Sequence, residues 1–91
     1  MTVAAEIERK LRERFAPTLL QVVDESHRHA GHAGAQPGGE THFDVTIISA
    51  VFAGLGRVAR QRLVYAALAD ELVAGVHALS LTTRTPDEAA A

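Results

Sequence analysis

Cysteine is absent from this 91-residue chain, and its absence excludes several chemistries. No disulfide framework is possible, so the buried core alone must hold the fold. Thiolate zinc sites and an iron–sulfur cluster ligated by the chain's own cysteines are ruled out. Any metal would be held by histidine or carboxylate, or shared with a partner that brings thiolates. No apolar run approaches the length of about 18 residues that a membrane span needs. A strong charge of one sign is missing too. The formal net charge of −2 gives no whole-molecule attraction to nucleic acid or anionic membrane, so such contacts would need a local basic patch. The N-terminal stretch has no signal-peptide apolar core, and Glu6, Glu8 and Glu13 argue against an acid-poor transit peptide. A cytoplasmic location is the expectation.

What is present is ordinary in bulk. Hydrophobic residues make up 47% and charged residues 22%, as in a soluble globular domain. Residues 1–91 are expected to form a single domain with one core. Ile7, Leu11 and Phe15 recur every four residues among Glu and Arg, which predicts an amphipathic helix over residues 3–15. Thr2 is placed to cap its start and Pro17 to stop it. Residues 19–25 read as a first strand. Residues 42–49 alternate cleanly, with Phe43, Val45 and Ile47 on one face and Asp44, Thr46 and Ile48 on the other, predicting a second strand antiparallel to the first. Phe52 anchors a turn over 50–56. A longer helix is expected over 57–74, with Val58, Val64, Tyr65, Leu68 and Leu72 on its buried stripe, Gln61 near the middle of that stripe, and Gly75 as C-cap. Residues 76–83 read as a third strand, parallel to a neighbour because a helix connects them. Thr85-Pro86-Asp87-Glu88 and the closing alanines read as a frayed tail over about 84–91. The expected class is α+β in the order α-β-β-(short helix)-α-β, a three-stranded mixed sheet with helices packed on one face.

Between the first two strands lies the most unusual stretch. Four of the five histidines, His27, His29, His32 and His42, fall within or at the end of a Gly/Pro-rich segment, about 26–41. Loops of this length inside a small domain usually carry function or are disordered. The spacing of His27, His29 and His32 suits a small zinc or nickel site, but flexible loop histidines also bind metals adventitiously. His42, opposite Phe43 on its strand, could simply hydrogen-bond the loop closed. His77 opens the third strand on the face of Leu79 and Leu81; a lone histidine there is more often a packed, hydrogen-bonded residue than a ligand. Arg57, Arg60 and Arg62 at the start of the long helix are candidates for phosphate contacts. On a net acidic domain with few aromatics they more often make a solvated face or a surface for an acidic protein partner. Gly54-Leu55-Gly56 is not the Gly-x-x-Gly grip of a KH domain. Catalysis is not expected. Asp24, Ser26 and His27 only mimic a triad, since adjacent residues on an extended chain point to opposite faces, and nothing marks an oxyanion hole.

Several segments in order resemble the BolA family along nearly the whole chain: Asp24-Glu25-Ser26 followed by His29, Glu40-Thr41-His42-Phe43, Phe52-Ala53-Gly54, Arg57 to Tyr65, Asp70-Glu71-Leu72 and Val76-His77-Ala78-Leu79. The resemblance implies a fold similar to a type-II KH domain. It also implies a monothiol, CGFS-type glutaredoxin as partner, and a [2Fe–2S] cluster shared with it. The glutaredoxin cysteine and glutathione would supply thiolates, and this chain would supply the third-strand histidine, His77, with a loop ligand that best matches His29. His32 and His42 stay open as alternatives for the loop position. The family is discussed as DNA-binding as well, through a helix-turn-helix-like segment that here carries Arg57, Arg60 and Arg62. One departure is plain: Gln61 stands where the family commonly has histidine, which puts in doubt any role needing an imidazole there.

Overall fold

The first helix is built as its sequence dictates. In the computed structural model, which describes residues 2–25, 42–76 and 78–91, α1 spans Val3–Phe15 and buries Ile7, Leu11 and Phe15. The Thr2 hydroxyl accepts from the Ala5 N–H at 3.1 Å, a cap worth about 1 kcal/mol. The helix ends two residues before Pro17. Ala16 adopts the left-handed conformation, φ 42° and ψ 56°, and its N–H closes on the Arg12 carbonyl.

The sheet has the order β1-β2-β3, with β1 Leu19–Asp24, β2 His42–Ile48 and β3 Ala78–Arg84. β1 and β2 pair antiparallel and β2 and β3 parallel, as the alternation and the helical crossover require. The period-two pattern of β2 is obeyed throughout: Phe43, Val45 and Ile47 are buried under the helices, and the residues between them are half-exposed. Leu20 and Val22 from β1 and Leu79 and Leu81 from β3 complete the covered face. The other face carries Leu19, Val23, Asp44, Thr46, Ser80 and Thr82, and no helix packs over it among the described residues. The third strand is described over Ala78–Arg84, and Val76, which the pattern puts in it, lies outside it. Val76 is still held in the preceding turn, its N–H bonded to the Glu71 carbonyl at 3.1 Å.

A 3-10 turn at Ala50–Phe52 follows β2 and places Phe52 at 0% exposure. Ser49 is the joint. Its buried hydroxyl donates to the Phe15 carbonyl at 2.6 Å and accepts from the Val51 N–H at 3.2 Å, tying the end of α1 to the end of β2.

The helix expected over 57–74 is two helices, α2 Arg57–Ala67 and α3 Ala69–Ala74. The break is at Leu68, with φ −107° and ψ 20°. Its N–H is shared between the Val64 and Tyr65 carbonyls at 3.1 and 3.2 Å, the tightened geometry common at helix ends. Leu68 is buried at 1% exposure. The buried stripe is also rotated from expectation. Val64, Ala67 and Leu68 face the core and Gln61 and Leu72 are half-buried, whereas Val58 and Tyr65 are 60% and 38% exposed. Lys10 holds α3 against α1 by donating to both oxygens of Glu71 at 2.9 and 2.8 Å; that contact raises the Lys10 pKa. Gly75 ends α3 at φ 143°, where a side chain would be strained.

The residues expected to fray instead form α4, Pro86–Ala90. Thr85 and Glu88 make a reciprocal capping box, and Pro86 occupies the first turn. No helix among the described residues is long and apolar enough to cross a membrane.

Candidate functional site

The topology brings the end of β1 and the starts of β2 and β3 to one end of the sheet. β1 ends at Asp24, paired with Phe43, and the Glu25 N–H donates to the His42 carbonyl at 2.9 Å. Residues 26–41 therefore depart and return at adjoining points. The parallel register sets His42 beside Ala78, so residue 77 immediately precedes the pair. In the sequence, three histidines lie between Glu25 and His42, a fourth is His42 itself, and the fifth precedes Ala78.

Of the candidate ligands, His42 is described: it is half-buried and projects on the face opposite Phe43. His29 and His32, along with His27, and also His77, lie outside the described residues. The half-buried carboxylates of Asp24 and Glu25 belong to the same end, and Asp44 follows His42 on its face. Among the described residues no three His, Cys, Asp or Glu side chains are grouped as a metal ion would require.

The three arginines separate into two kinds. Arg57 and Arg62 are exposed. Arg60 is built into the fold, its side chain 11% exposed. Nε donates to the Leu55 carbonyl at 2.8 Å, and Nη1 donates to the Thr83 carbonyl at 3.3 Å. Nη1 and Nη2 also grip the two oxygens of Glu88 at 2.7 and 3.1 Å. The guanidinium lies 5.9 Å from the centroid of the Phe52 ring. One side chain thus joins the 3-10 turn, α2, β3 and α4. Four of its five N–H donors are used in these contacts, so little of the side chain is offered to a nucleic-acid backbone. Beside it lies an open hollow of about 620 Å³, lined by Arg57, Gln61, Leu81, Arg84 and Glu88 among others. Gln61 opens onto this hollow rather than sitting sealed within the core.

Glu88 escaped the sequence reading, although its signal was present. Thr85-Pro86-Asp87-Glu88 has the spacing of a capping box with proline at the first helical position. The Arg60 hydrogen bonds come first in holding the Glu88 pKa down, from an ordinary 4.5 to about 2, with the Thr85 N–H next. The unfolded chain titrates near the ordinary value, so this contact contributes stability above about pH 4.5 and loses it as pH falls towards 2. Because Glu88 is half-exposed, solvent screening moderates the effect. Urea denaturation of the wild type and Glu88→Gln across pH 2–7 is expected to show the wild type ahead at neutral pH and the curves converging towards about pH 2. Parallel curves across that range would contradict the assignment.

A family model described as BolA-like protein matches residues 11–88. The chain is 46% identical to the DNA-binding transcriptional regulator BolA of Escherichia coli (strain K12), covering 97% of this chain and 80% of that protein. It is 48% identical to BolA-like protein 1 of Homo sapiens, covering 92% of this chain but 58% of the relative's length. Among solved structures it is similar to BolA1 from Arabidopsis thaliana, with a TM-score of 0.87, 43% identity, and coverage of 97% and 96% of the two chains.

Proposed function

The chain belongs to the BolA-like family, and from that premise we propose that it binds a monothiol, CGFS-type glutaredoxin and co-ligates a [2Fe–2S] cluster shared with that partner and glutathione. Its work would lie in iron–sulfur cluster trafficking and iron homeostasis in the cytoplasm, with no catalysis of its own. The observation that carries this reading is that β1 ends where β2 and β3 begin, so that the described residues flanking the histidine-bearing segment 26–41, and Ala78, which follows residue 77 in the chain, meet at one end of the sheet. His77 is the strand ligand in this reading, and His29 the loop ligand, with His32 and His42 as its alternates. The donor chemistry fits: imidazole suits iron, and a chain with no cysteine leaves the soft thiolates to its partner. Histidine in place of cysteine on one iron also raises a cluster's reduction potential.

The test is anaerobic reconstitution with a monothiol glutaredoxin, glutathione, iron and sulfide, followed by visible absorption and circular dichroism. Wild-type chain is expected to give a spectrum distinct from that of the glutaredoxin alone; an unchanged spectrum rejects the reading. His29→Ala is expected to diminish the difference more than His32→Ala or His42→Ala does. If it persists in His29→Ala but is lost in His32→Ala or His42→Ala, the loop ligand is reassigned accordingly.

The name of the Escherichia coli relative favours a second reading, a DNA-binding regulator. Of its arginines, Arg57 and Arg62 are exposed and Arg60 is engaged by Glu88. On this reading affinity for duplex DNA falls steeply with salt and with loss of Arg57 and Arg62, whereas the histidine variants leave it unchanged.

A further inference from the structure

The outward face of α2 is unusual for a surface helix. Val58, Leu63 and Tyr65 are 60%, 40% and 38% exposed, and Val58, Arg62, Tyr65 and Ala66 follow one another at the i, i+4, i+7, i+8 spacing that lines one side of a helix. Ala59 lies between Val58 and Leu63 on the same side. Single exposed apolar residues are ordinary, but a contiguous exposed apolar patch marks an interaction site. Tyrosine and arginine are also the residue types that most often dominate interface energetics. The core has no use for this face: α2 meets it through Val64 and Ala67, and Arg60 fastens the helix from the far side.

Charge selects the occupant. α2 contains no acidic residue, and Arg62 stands at the middle of the stripe. Two copies of this chain packed antiparallel through α2 would set Arg62 against its own counterpart, in an interface where like charges cost several kcal/mol. A nucleic acid would meet Val58, Leu63 and Tyr65 with Arg62 among them and Arg57 beside them, more apolar surface than a polyanion matches. A protein segment with an apolar face and a carboxylate opposite Arg62 satisfies both the stripe and its charge.

We propose that the outer face of α2, comprising Val58, Arg62, Leu63 and Tyr65, is a docking surface for an acidic amphipathic helix of a partner protein. The surface is independent of the cluster reading, since it uses none of the histidines.

The probes are two synthetic helical peptides with leucines at i, i+3, i+4 and i+7, one flanked by glutamates and one by lysines. They are titrated into the isotope-labelled chain and followed through its amide NMR spectrum. The glutamate peptide is expected to shift amides of residues 58–66 and to bind about tenfold more tightly than the lysine peptide. Arg62→Glu is expected to reverse that order, and Val58→Asp to abolish binding. Both substitutions are at exposed positions, and far-ultraviolet circular dichroism confirms that the variants are folded. The proposal is overturned by shifts confined to another surface, by no shifts at millimolar peptide, or by equal affinity for the two peptides. It is equally overturned by sedimentation showing a wild-type dimer that Val58→Asp dissociates, or by duplex DNA shifting the stripe more strongly than the peptide does.

Discussion

Exchanging His77 for alanine is expected to return the absorption and circular dichroism of the co-reconstituted cluster to those of the glutaredoxin alone, even at excess of this chain. The size of the effect follows from the ligand arithmetic. With no cysteine, the chain offers the cluster only nitrogen and oxygen donors, and the reading assigns it two. Changing a residue that merely orients a metal ligand already costs about 10–100-fold in affinity; removing a ligand itself costs at least that. The loop position has neighbours able to substitute, because His29, His32 and His42 lie close in sequence. Position 77 has none, since the other histidines lie in residues 27–42. The asymmetry is itself checkable: the His77→Ala loss should be complete where single loop variants retain a fraction. A heteroligated spectrum surviving in His77→Ala would remove the strand ligand from the reading.

The largest expected effect on stability is that of Phe52→Ala, a loss of about 3–5 kcal/mol. Phe52 is the largest of the fully buried side chains. Its ring centroid is 5.4 Å from that of Phe15 at an interplanar angle of 37°, and the Arg60 guanidinium rests over its other surroundings at 5.9 Å. The residue therefore joins the end of α1 to the start of α2. Small domains are stable by only about 5–15 kcal/mol, so a substantial fraction of the variant should unfold in mild urea. Phe52→Leu, which keeps most of the volume, should cost much less. Urea denaturation decides the matter: a loss below about 1 kcal/mol for Phe52→Ala would show that the core closes without its anchor.

How far these features could be read from the sequence depended on whether their causes were local. α1 and β2 were legible because Ile7, Leu11 and Phe15, and then Phe43, Val45 and Ile47, repeat at the period of their own element. The segment after Gly56 was harder. It offers two overlapping apolar stripes, one through Val58 and Tyr65 and one through Val64 and Leu68, and periodicity alone does not say which meets the sheet. Arg60 settles the rotation by reaching Leu55, Thr83 and Glu88, contacts that no local pattern encodes. The same distance hid α4. A five-residue helix is too short to hold itself in water, and its Glu88 is anchored by a side chain 28 residues away. That the end of β1 meets the starts of β2 and β3 was legible in outline once the strand order was set, because antiparallel and then parallel pairing returns the chain to one place. The ligand assignments came from family resemblance, and His29, His32 and His77 fall outside the described residues.

The grip of Arg60 on Thr83 bears also on what the protein avoids. Among the described residues β3 is an edge strand, with β2 on one side and no strand on the other, and such edges template the addition of foreign strands, aggregation included. The Arg84 carbonyl is used inward, by the Ser49 N–H, so the Thr83 carbonyl faces the open side, where the guanidinium takes it. α4 then turns the chain away from the strand direction under the hold of Glu88. A strand adding along this margin would have to displace a charged, hydrogen-bonded side chain to complete its last rung, so the edge is blunted at the end where α4 begins.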